Sequence, residues 1–297
     1  MPQPLVSIVT PCFNAARFLE ETIESVLGQD YPALEYVVMD GGSEDGTRKI
    51  LERYEGRLRW RSEQDRGQAD AVNRGFGLTG GEIFAFLNAD DTYQPGAVTR
   101  AVEGFARNPE AAVVYGDAWH VDEDGRRLSR YPVEPFDAAR LARRCIVCQP
   151  AAFIRRDAFA ECGGLDARLQ FALDYDLWIR LAQKHSLVKI DAVLAHSRLH
   201  AGAKTVGQTA AAMHETIAVL KRHYGYAPYN WVYGYVHHRR SGQPLAGANG
   251  TARPGISAAS AGLALAVGVS YNWRHPIRYC RDVVATAREG IAWPSRP

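Results

Sequence analysis

The stretch Ile83-Phe84-Ala85-Phe86-Leu87-Asn88-Ala89-Asp90-Asp91-Thr92-Tyr93-Gln94-Pro95 decides the fold. Its first five residues form an apolar run of strand length, and Pro95 suits the first turn of a following helix. Two carboxylates at the carboxyl end of a buried strand face the crevice where open α/β sheets bind ligands. Adjacent anions repel, so Asp90 and Asp91 call for a compensating cation. A divalent ion shared with a diphosphate supplies one, because Mg²⁺ and Mn²⁺ favour a few carboxylates plus phosphate oxygens. Taken alone, the pair reads equally well as a turn with a helix cap.

Upstream, strands and helices alternate. Leu5 to Val9 and Tyr36 to Met39 have strand character, as does Leu58 to Arg61. Between them Leu19, Ile23, Val26 and Leu27 fall at helical spacing, with Asn14 as a candidate cap, and Gln68 to Leu78 reads as a further helix. Pro95 to Arg107 is a helix and Ala112 to Tyr115 a strand. This rhythm predicts a mainly parallel sheet covered on both faces. After Gly116 it changes to a hairpin (Trp119 to Val121 with Arg127 to Val133), a strand at Ala151 to Ile154, a helix from Asp174 to Lys184, strands at Val188 to Ile190 and Val193 to Leu199, and a helix from Thr209 to His223. The expected organisation is a domain over 1–240, with a ligand-binding half (1–117) and a mixed half (118–240), then a basic extension over 241–297.

The chain has 297 residues and a net charge of +2. From Ile217 onward there are 10 Lys/Arg against 2 Asp/Glu, whereas the first 216 residues carry −6. An acidic body argues against nucleic acid as a partner. Five scattered cysteines make no disulfide framework, and Cys145-Ile146-Val147-Cys148 lacks the second pair of a zinc site. The N-terminus has no basic region before its apolar run, so a cytoplasmic location is expected. Ile256 to Val269, the longest weakly polar stretch, is 14 residues, short of the ~20 that span a bilayer.

Three more strand ends carry polar loops. Thr10-Pro11-Cys12-Phe13-Asn14 is the first and Asp40-Gly41-Gly42-Ser43-Glu44-Asp45-Gly46-Thr47 the second. Its glycines let backbone approach a ligand, and Asp40 can accept from a base or ribose. The alternative is a Gly-rich turn in which Asp45 or Thr47 caps a helix. The third runs from Glu63 through Asp65 and Gly67 to Gly75 and sets Asp70, Asn73 and Arg74 along one side of a helix.

These four elements, in this order, resemble the family 2 glycosyltransferases. The motifs are Ser7-Ile8-Val9-Thr10-Pro11 through Asn14, Asp40-Gly-Gly-Ser-x-Asp-Gly-Thr47, Asp65-x-Gly67-x-x-Asp70-Ala71-x-Asn73-x-Gly75, and Leu87-Asn88-Ala89-Asp90-Asp91. The resemblance covers about Val6 to Lys204. It implies the nucleotide-sugar-binding α/β fold called GT-A: a mainly parallel sheet flanked by helices, a smaller acceptor-side mixed region and a C-terminal extension.

The resemblance also assigns roles. Thr10 and Asp40 would help hold the nucleobase end, and Asp65, Asp70 and Asn73 would line the nucleotide-sugar side. Pro11, Asn14, Gly41 and Gly67 would be further substrate-binding residues. Asp90 and Asp91 would be the acidic motif for Mn²⁺ or Mg²⁺, with Asp91 closer to the ion. Many relatives carry an aspartate where this chain has Asn88. Leu173-Asp174-Tyr175-Asp176-Leu177-Trp178 resembles the segment that holds the catalytic base, here Asp174, with Leu173 in place of the usual Glu. An apolar neighbour raises a carboxylate's pKa and favours proton acceptance; Asp176 is the competing base. Arg198-Leu199-His200-Ala201-Gly202-Ala203-Lys204-Thr205 resembles a later element, in which His200 would bind the metal and Lys204 the diphosphate.

The implied activity is inverting, metal-dependent transfer of a hexose or related sugar from a nucleotide diphosphate sugar to a saccharide or lipid-linked acceptor, in polysaccharide or glycolipid assembly. The competing expectation is a degenerate protein of the same fold that binds sugar nucleotides or scaffolds a complex. A sugar-1-phosphate nucleotidyltransferase would want a Gly-rich, Arg/Lys-bearing first loop, and a nicotinamide oxidoreductase Gly-x-Gly-x-x-Gly; the loop here is neither. Tyr224, Tyr226, Tyr229, Trp231, Tyr233 and Tyr235, with Lys221, Arg222, Arg239 and Arg240, read either as a peripheral contact with an anionic membrane, at the inner face of the plasma membrane, or as internal packing.

Overall fold

Val6 to Cys12 are buried at every residue, as suits a strand covered on both faces of a parallel sheet. This is β1 in the computed structural model, which describes residues 3–203, 208–242 and 258–289. In chain order follow α1 (Leu19–Leu27), β2 (Leu34–Asp40), α2 (Thr47–Arg53), β3 (Arg59–Ser62), α3 (Gln68–Gly77), β4 (Ile83–Phe86), β5 (Thr92–Tyr93), α4 (Ala97–Arg107), β6 (Ala111–Val121) and β7 (Arg127–Arg130). Then come α5 (Ala138–Leu141), a 3-10 turn (Gln149–Ala151), β8 (Ala152–Arg155), α6 (Arg156–Glu161), α7 (Leu173–Ala182) and β9 (Ser186–Arg198). Four helices close the described chain: α8 (Thr209–Tyr224), α9 (Tyr229–Ser241), α10 (Ala258–Tyr271) and α11 (Pro276–Glu289).

The strands form one sheet in the order β3-β2-β1-β4-β8-β6-β9-β5, with β7 beside β6. β1 to β4 are mutually parallel. β8 runs antiparallel between β4 and β6, and β6 is parallel to β9. This is the expected α/β architecture, mainly parallel with a mixed region. The chain moves outward from β1 to β2 and β3, then returns through α3 to β4 on the other side of β1. The strand order therefore reverses at β1 and β4, and ligands bind beyond the carboxyl ends of strands at such a point.

Residues up to Phe136 together with Ile146–Arg198 form one compact unit, which contains the whole sheet. Its core includes Val6, Ile8, Leu19, Ile23, Val38, Leu51, Ala85, Leu87, Phe105 and Phe153. α3 lies close on the sheet because Gly75 has no side chain: a Cβ there would meet Val9 at 2.5 Å and Met39 at 3.1 Å.

Several local expectations change. β1 runs through Pro11 to Cys12, because β4 pairs with β1 only as far as Val9 and the imide lies past that edge. Asn14 does not cap α1, which begins at Leu19; it adopts a left-handed φ of 49° and ties two loops together. α4 starts at Ala97, after Gly96 in a left-handed turn, so Pro95 precedes the helix. The two short strands expected between Val188 and Leu199 are the single strand β9, whose ladder with β6 absorbs register shifts near Tyr115 and Asp117.

The second unit comprises Asp137–Cys145 and the described residues from Leu199 onward. Residue 240 falls in α9, inside it. Tyr226, Tyr229, Trp231 and Tyr233 are buried there. Trp231 Nε1 donates to the Arg143 carbonyl (2.9 Å), and Tyr229 N–H to Asp282 Oδ2 (2.6 Å). The membrane-facing reading of these four aromatics is thereby corrected: they pack the unit's interior. Among the described residues no helix is long and apolar enough to cross a membrane.

Candidate active site

The first two loops are knitted together. Asn14 N–H donates to Ser43 Oγ (2.7 Å), Glu44 N–H to Asn14 Oδ1 (3.0 Å) and Ala15 N–H to Thr47 Oγ1 (2.8 Å). Asp45 Oδ1 accepts from Thr47 N–H at 2.8 Å, so Asp45 shapes the entry to α2. Asp40, at the end of β2, is buried. It accepts from Ser43 N–H (3.1 Å), Ser62 Oγ (2.6 Å) and Ser43 Oγ. Cys12 lies beside it, and burial followed by the Asp40 charge pushes the Cys12 thiol well up. Thr10 is fully buried, its hydroxyl 2.9 Å from that of Tyr36. Pro11 follows it in the buried strand.

The third loop meets the second at Gly41 and Asp65. A Cβ on Gly41 would lie 2.9 Å from Asp65 Oδ2. Asp65 Oδ1 accepts from Gly67 N–H at 2.8 Å, and Gly67 starts α3 with a φ of 111° that disfavours any other residue. Asp70 is buried, and its hydrogen bond with Arg66 (2.7 Å) holds its carboxyl below the usual range. Asn73 uses both ends of its amide on one residue: Nδ2 donates to the Leu165 carbonyl (2.8 Å) and Oδ1 accepts from Leu165 N–H (2.9 Å). Asn73 thus pins the segment leading to α7 onto α3. The position a Gly67 Cβ would take is 3.1 Å from Gln170 Oε1, which brings the same segment against the third loop.

The acidic pair divides its labour. Asp91 is buried, and both its oxygens accept from the protein: Oδ1 from Arg198 N–H (2.9 Å) and Oδ2 from Asn88 Nδ2 (3.2 Å). Burial, and then the Asp90 charge, push the Asp91 carboxyl well up. Asp90 is half-buried. Asn88 also donates to Gln149 Oε1 (3.1 Å) and accepts from Gln68 Nε2 (2.6 Å), so it organises the turn.

Arg198 is the residue that spacing did not single out. It is buried, and its Nε donates to the Asp90 carbonyl (2.9 Å). Its Nη1 donates to the carbonyls of Asp122 (3.2 Å) and Glu123 (2.9 Å), and its Nη2 pairs with Glu21 (2.6 Å). β9 also carries Lys189, Asp191 and His196, so nothing in the pattern of the strand marked out its last arginine. Gln149 was missed too; it donates to the Phe86 carbonyl at 2.5 Å, with no motif around it.

Asp174 lies in the first turn of α7 and is half-buried. Burial pushes its carboxyl up to about 6, partly offset by Tyr175 N–H, which donates at 2.7 Å. Asp176 is fully buried and paired with Arg180 Nε at 2.8 Å. Of the two, Asp174 is the more exposed.

Among the described residues no group of three or more His, Cys, Asp and Glu side chains is arranged to hold a metal. The oxygen donors at Asp90 and Asp91 suit a hard divalent ion that keeps water or phosphate in its other positions, and a cation there would offset the Asp90 charge that adds to burial in raising Asp91. His200 belongs to the second unit, and Lys204 lies outside the described residues. The resemblance alone assigns these two a role.

Comparison with known proteins agrees with this fold. Residues 7–163 match the profile described as Glycosyl transferase family 2, and the chain belongs to that family. It is 28% identical to an uncharacterized glycosyltransferase of Rickettsia prowazekii over 215 residues, 68% of this chain and 66% of that protein. It is 32% identical to the O-antigen biosynthesis protein RfbC of Myxococcus xanthus over 204 residues, 66% of this chain and 16% of that one. The match to the chondroitin synthase of Escherichia coli is 26% over 200 residues, 66% of this chain and 29% of that protein. The chain thus spans from about one sixth to two thirds of the length of these relatives. Among solved structures it resembles S. aureus TarS in complex with UDP (TM-score 0.61, 15% identity, 96% of this chain and 92% of that one). It also resembles a mannosyltransferase of Pyrobaculum calidifontis in complex with GDP-Man and Mn²⁺ (TM-score 0.60, 20% identity, 96% and 87%).

Proposed function

We propose that the chain is an inverting glycosyltransferase that moves one sugar from a nucleotide diphosphate sugar to an acceptor hydroxyl in polysaccharide or glycolipid assembly. The observation that carries the reading is Asp174, a half-buried carboxyl raised to about 6 in the same unit as the Asp90–Asp91 turn. At neutral pH it is mostly ionised yet basic enough to take a proton. Asp174 accepts the acceptor's hydroxyl proton as the oxygen attacks the anomeric carbon. The bond from that carbon to the diphosphate breaks, and the diphosphate leaves with the electron pair. One displacement inverts the carbon, and no protein nucleophile is used.

In this reading Asp40, Gly41, Asp65 and Gly67 form the wall for the nucleoside end. Asp90 is the nearer ligand for Mn²⁺ or Mg²⁺, with Asp91 holding the turn beneath it. When bound, the ion supplies positive charge against the departing diphosphate. The names of the relatives support polysaccharide assembly, and the nucleotides bound by TarS and the mannosyltransferase support a nucleotide sugar donor. A thermal-shift panel of UDP-, GDP- and dTDP-sugars with Mn²⁺ tests the proposal: at least one donor raises Tm, and none does so in the absence of a divalent ion.

A second reading, a degenerate sugar-nucleotide-binding protein, draws on Asn88 and Leu173, which stand where many relatives carry acids. It predicts donor binding without turnover.

A further inference from the structure

Burial of the aromatic run in α9 leaves the basic C-terminal unit with a different exposed surface. Eight large hydrophobic side chains are exposed among the described residues, and six of them (Leu263, Leu265, Val269, Trp273, Ile277 and Val284) fall within 22 positions of α10, α11 and the turn between them. Monomeric soluble proteins scatter such residues; a cluster marks a contact surface.

The spacing sorts α11 into two faces. Tyr279, Asp282 and Thr286 point inward. Tyr279 donates to the Ala264 carbonyl at 2.8 Å and so joins α11 to α10. Asp282 pairs with Arg143 at 3.1 Å. The opposite stripe, at i, i+4 and i+7, is Ile277, Arg281 and Val284, with Cys280 also exposed. α10 has no charged residue at all, and its exposed side includes Leu263, Leu265, Ala266 and Val269.

Charge names the occupant. Arg274, Arg278 and Arg281 are exposed around Trp273 and Ile277, and the single acid from 258 to 287, Asp282, is buried. A second copy of the chain, docked through the same face, would bring these guanidinium groups together. An anionic lipid surface would neutralise them while its interfacial region takes up Trp273, Ile277 and Val284. We infer that the α10–α11 face, centred on Trp273 and Ile277 and ringed by Arg274, Arg278 and Arg281, docks the protein onto anionic membrane.

The inference needs no transfer activity and is tested apart from it. The full chain is co-floated with vesicles of phosphatidylcholine alone and of phosphatidylcholine with one third phosphatidylglycerol, at low and high salt. The expected result is binding to the anionic vesicles, weakened by salt and absent on neutral ones. Arg274→Gln and Arg281→Gln should each weaken it about fivefold, and Ile277→Ser with Val284→Ser at least tenfold. All four side chains are exposed, so the variants should keep the parent's Tm. Absence of binding to anionic vesicles at low salt would overturn the inference, and so would variants that bind as tightly as the parent. A concentration-dependent dimer abolished by Ile277→Ser would also overturn it, in favour of a second copy.

Discussion

Arg198 N–H donates to Asp91 Oδ1 at 2.9 Å, so the last residue of β9 holds the acidic turn after β4 from behind. The same arginine's side chain grips the Asp90 carbonyl and the hairpin tip at Asp122 and Glu123. Arg198→Met would leave these carbonyls without their donor and Glu21 without its partner. We expect a loss of about 2–5 kcal/mol, from several buried acceptors left unmade. Urea denaturation measures it, and a loss below about 1 kcal/mol would remove Arg198 from its bracing role.

The acidic pair should separate on substitution. Asp90→Ala should abolish the Mn²⁺ dependence of nucleotide binding at modest cost to the fold. Asp91→Ala should lower Tm as well, because it strips acceptors from Arg198 N–H and Asn88 Nδ2. Calorimetric titration of UDP and GDP, with and without chelator, together with thermal melts, distinguishes them. A variant at Asp90 that binds nucleotide with full metal dependence would return the nearer ligand to Asp91.

Asn73 sits in a motif that suggests donor contact, yet its amide is committed to Leu165. Asn73→Ala should cost about 1–3 kcal/mol, the loss of a buried two-bond bridge. Asn73→Asp keeps one acceptor and loses the donor, so it should fall between alanine and the parent. If Asn73→Ala melts like the parent and only nucleotide affinity drops, the bridge is not the role of Asn73.

Asp174 makes a pH-dependent prediction. Its folded pKa is raised to about 6, above the ~3.9 of an unfolded aspartate. The folded state therefore holds the proton more tightly, and its advantage is present below the unfolded pKa and lost as pH rises through about 6. Asp174→Asn removes that loss. The variant should match the parent near pH 3 and exceed it by about 1–3 kcal/mol above pH 7. A parent-minus-variant difference that stays flat between those pH values would contradict the raised carboxyl.

Much of this architecture could be read from the chain because period and loop chemistry agreed. The apolar runs ending at Asp40 and Asn88 could be placed as parallel strands, and the loops after them carried the glycines and acids. What escaped depended on partners far away in sequence. Pro11 stays in β1 because β4 happens to end beside it. Asn14 reads as a cap in the sequence because its loop partner, Ser43, is 29 residues away. Asp90 and Asp91 are indistinguishable as adjacent letters; Arg198, 107 residues from Asp91, turns one of them inward. The aromatics of α9 have the composition of a membrane belt, and the partners that hold them inward, Arg143 and Asp282, lie far away in sequence.

The proposed sugar transfer depends on proton abstraction by Asp174. Its most direct test is nucleoside diphosphate release from the bound donor, in the presence of acceptor, by the parent, Asp174→Asn and Asp176→Asn. We predict that Asp174→Asn binds donor as the parent does and turns over ~10²–10⁴-fold more slowly, the usual worth of a positioned general base. Parent-like turnover by Asp174→Asn, with Asp176→Asn folded but inactive, would contradict the account.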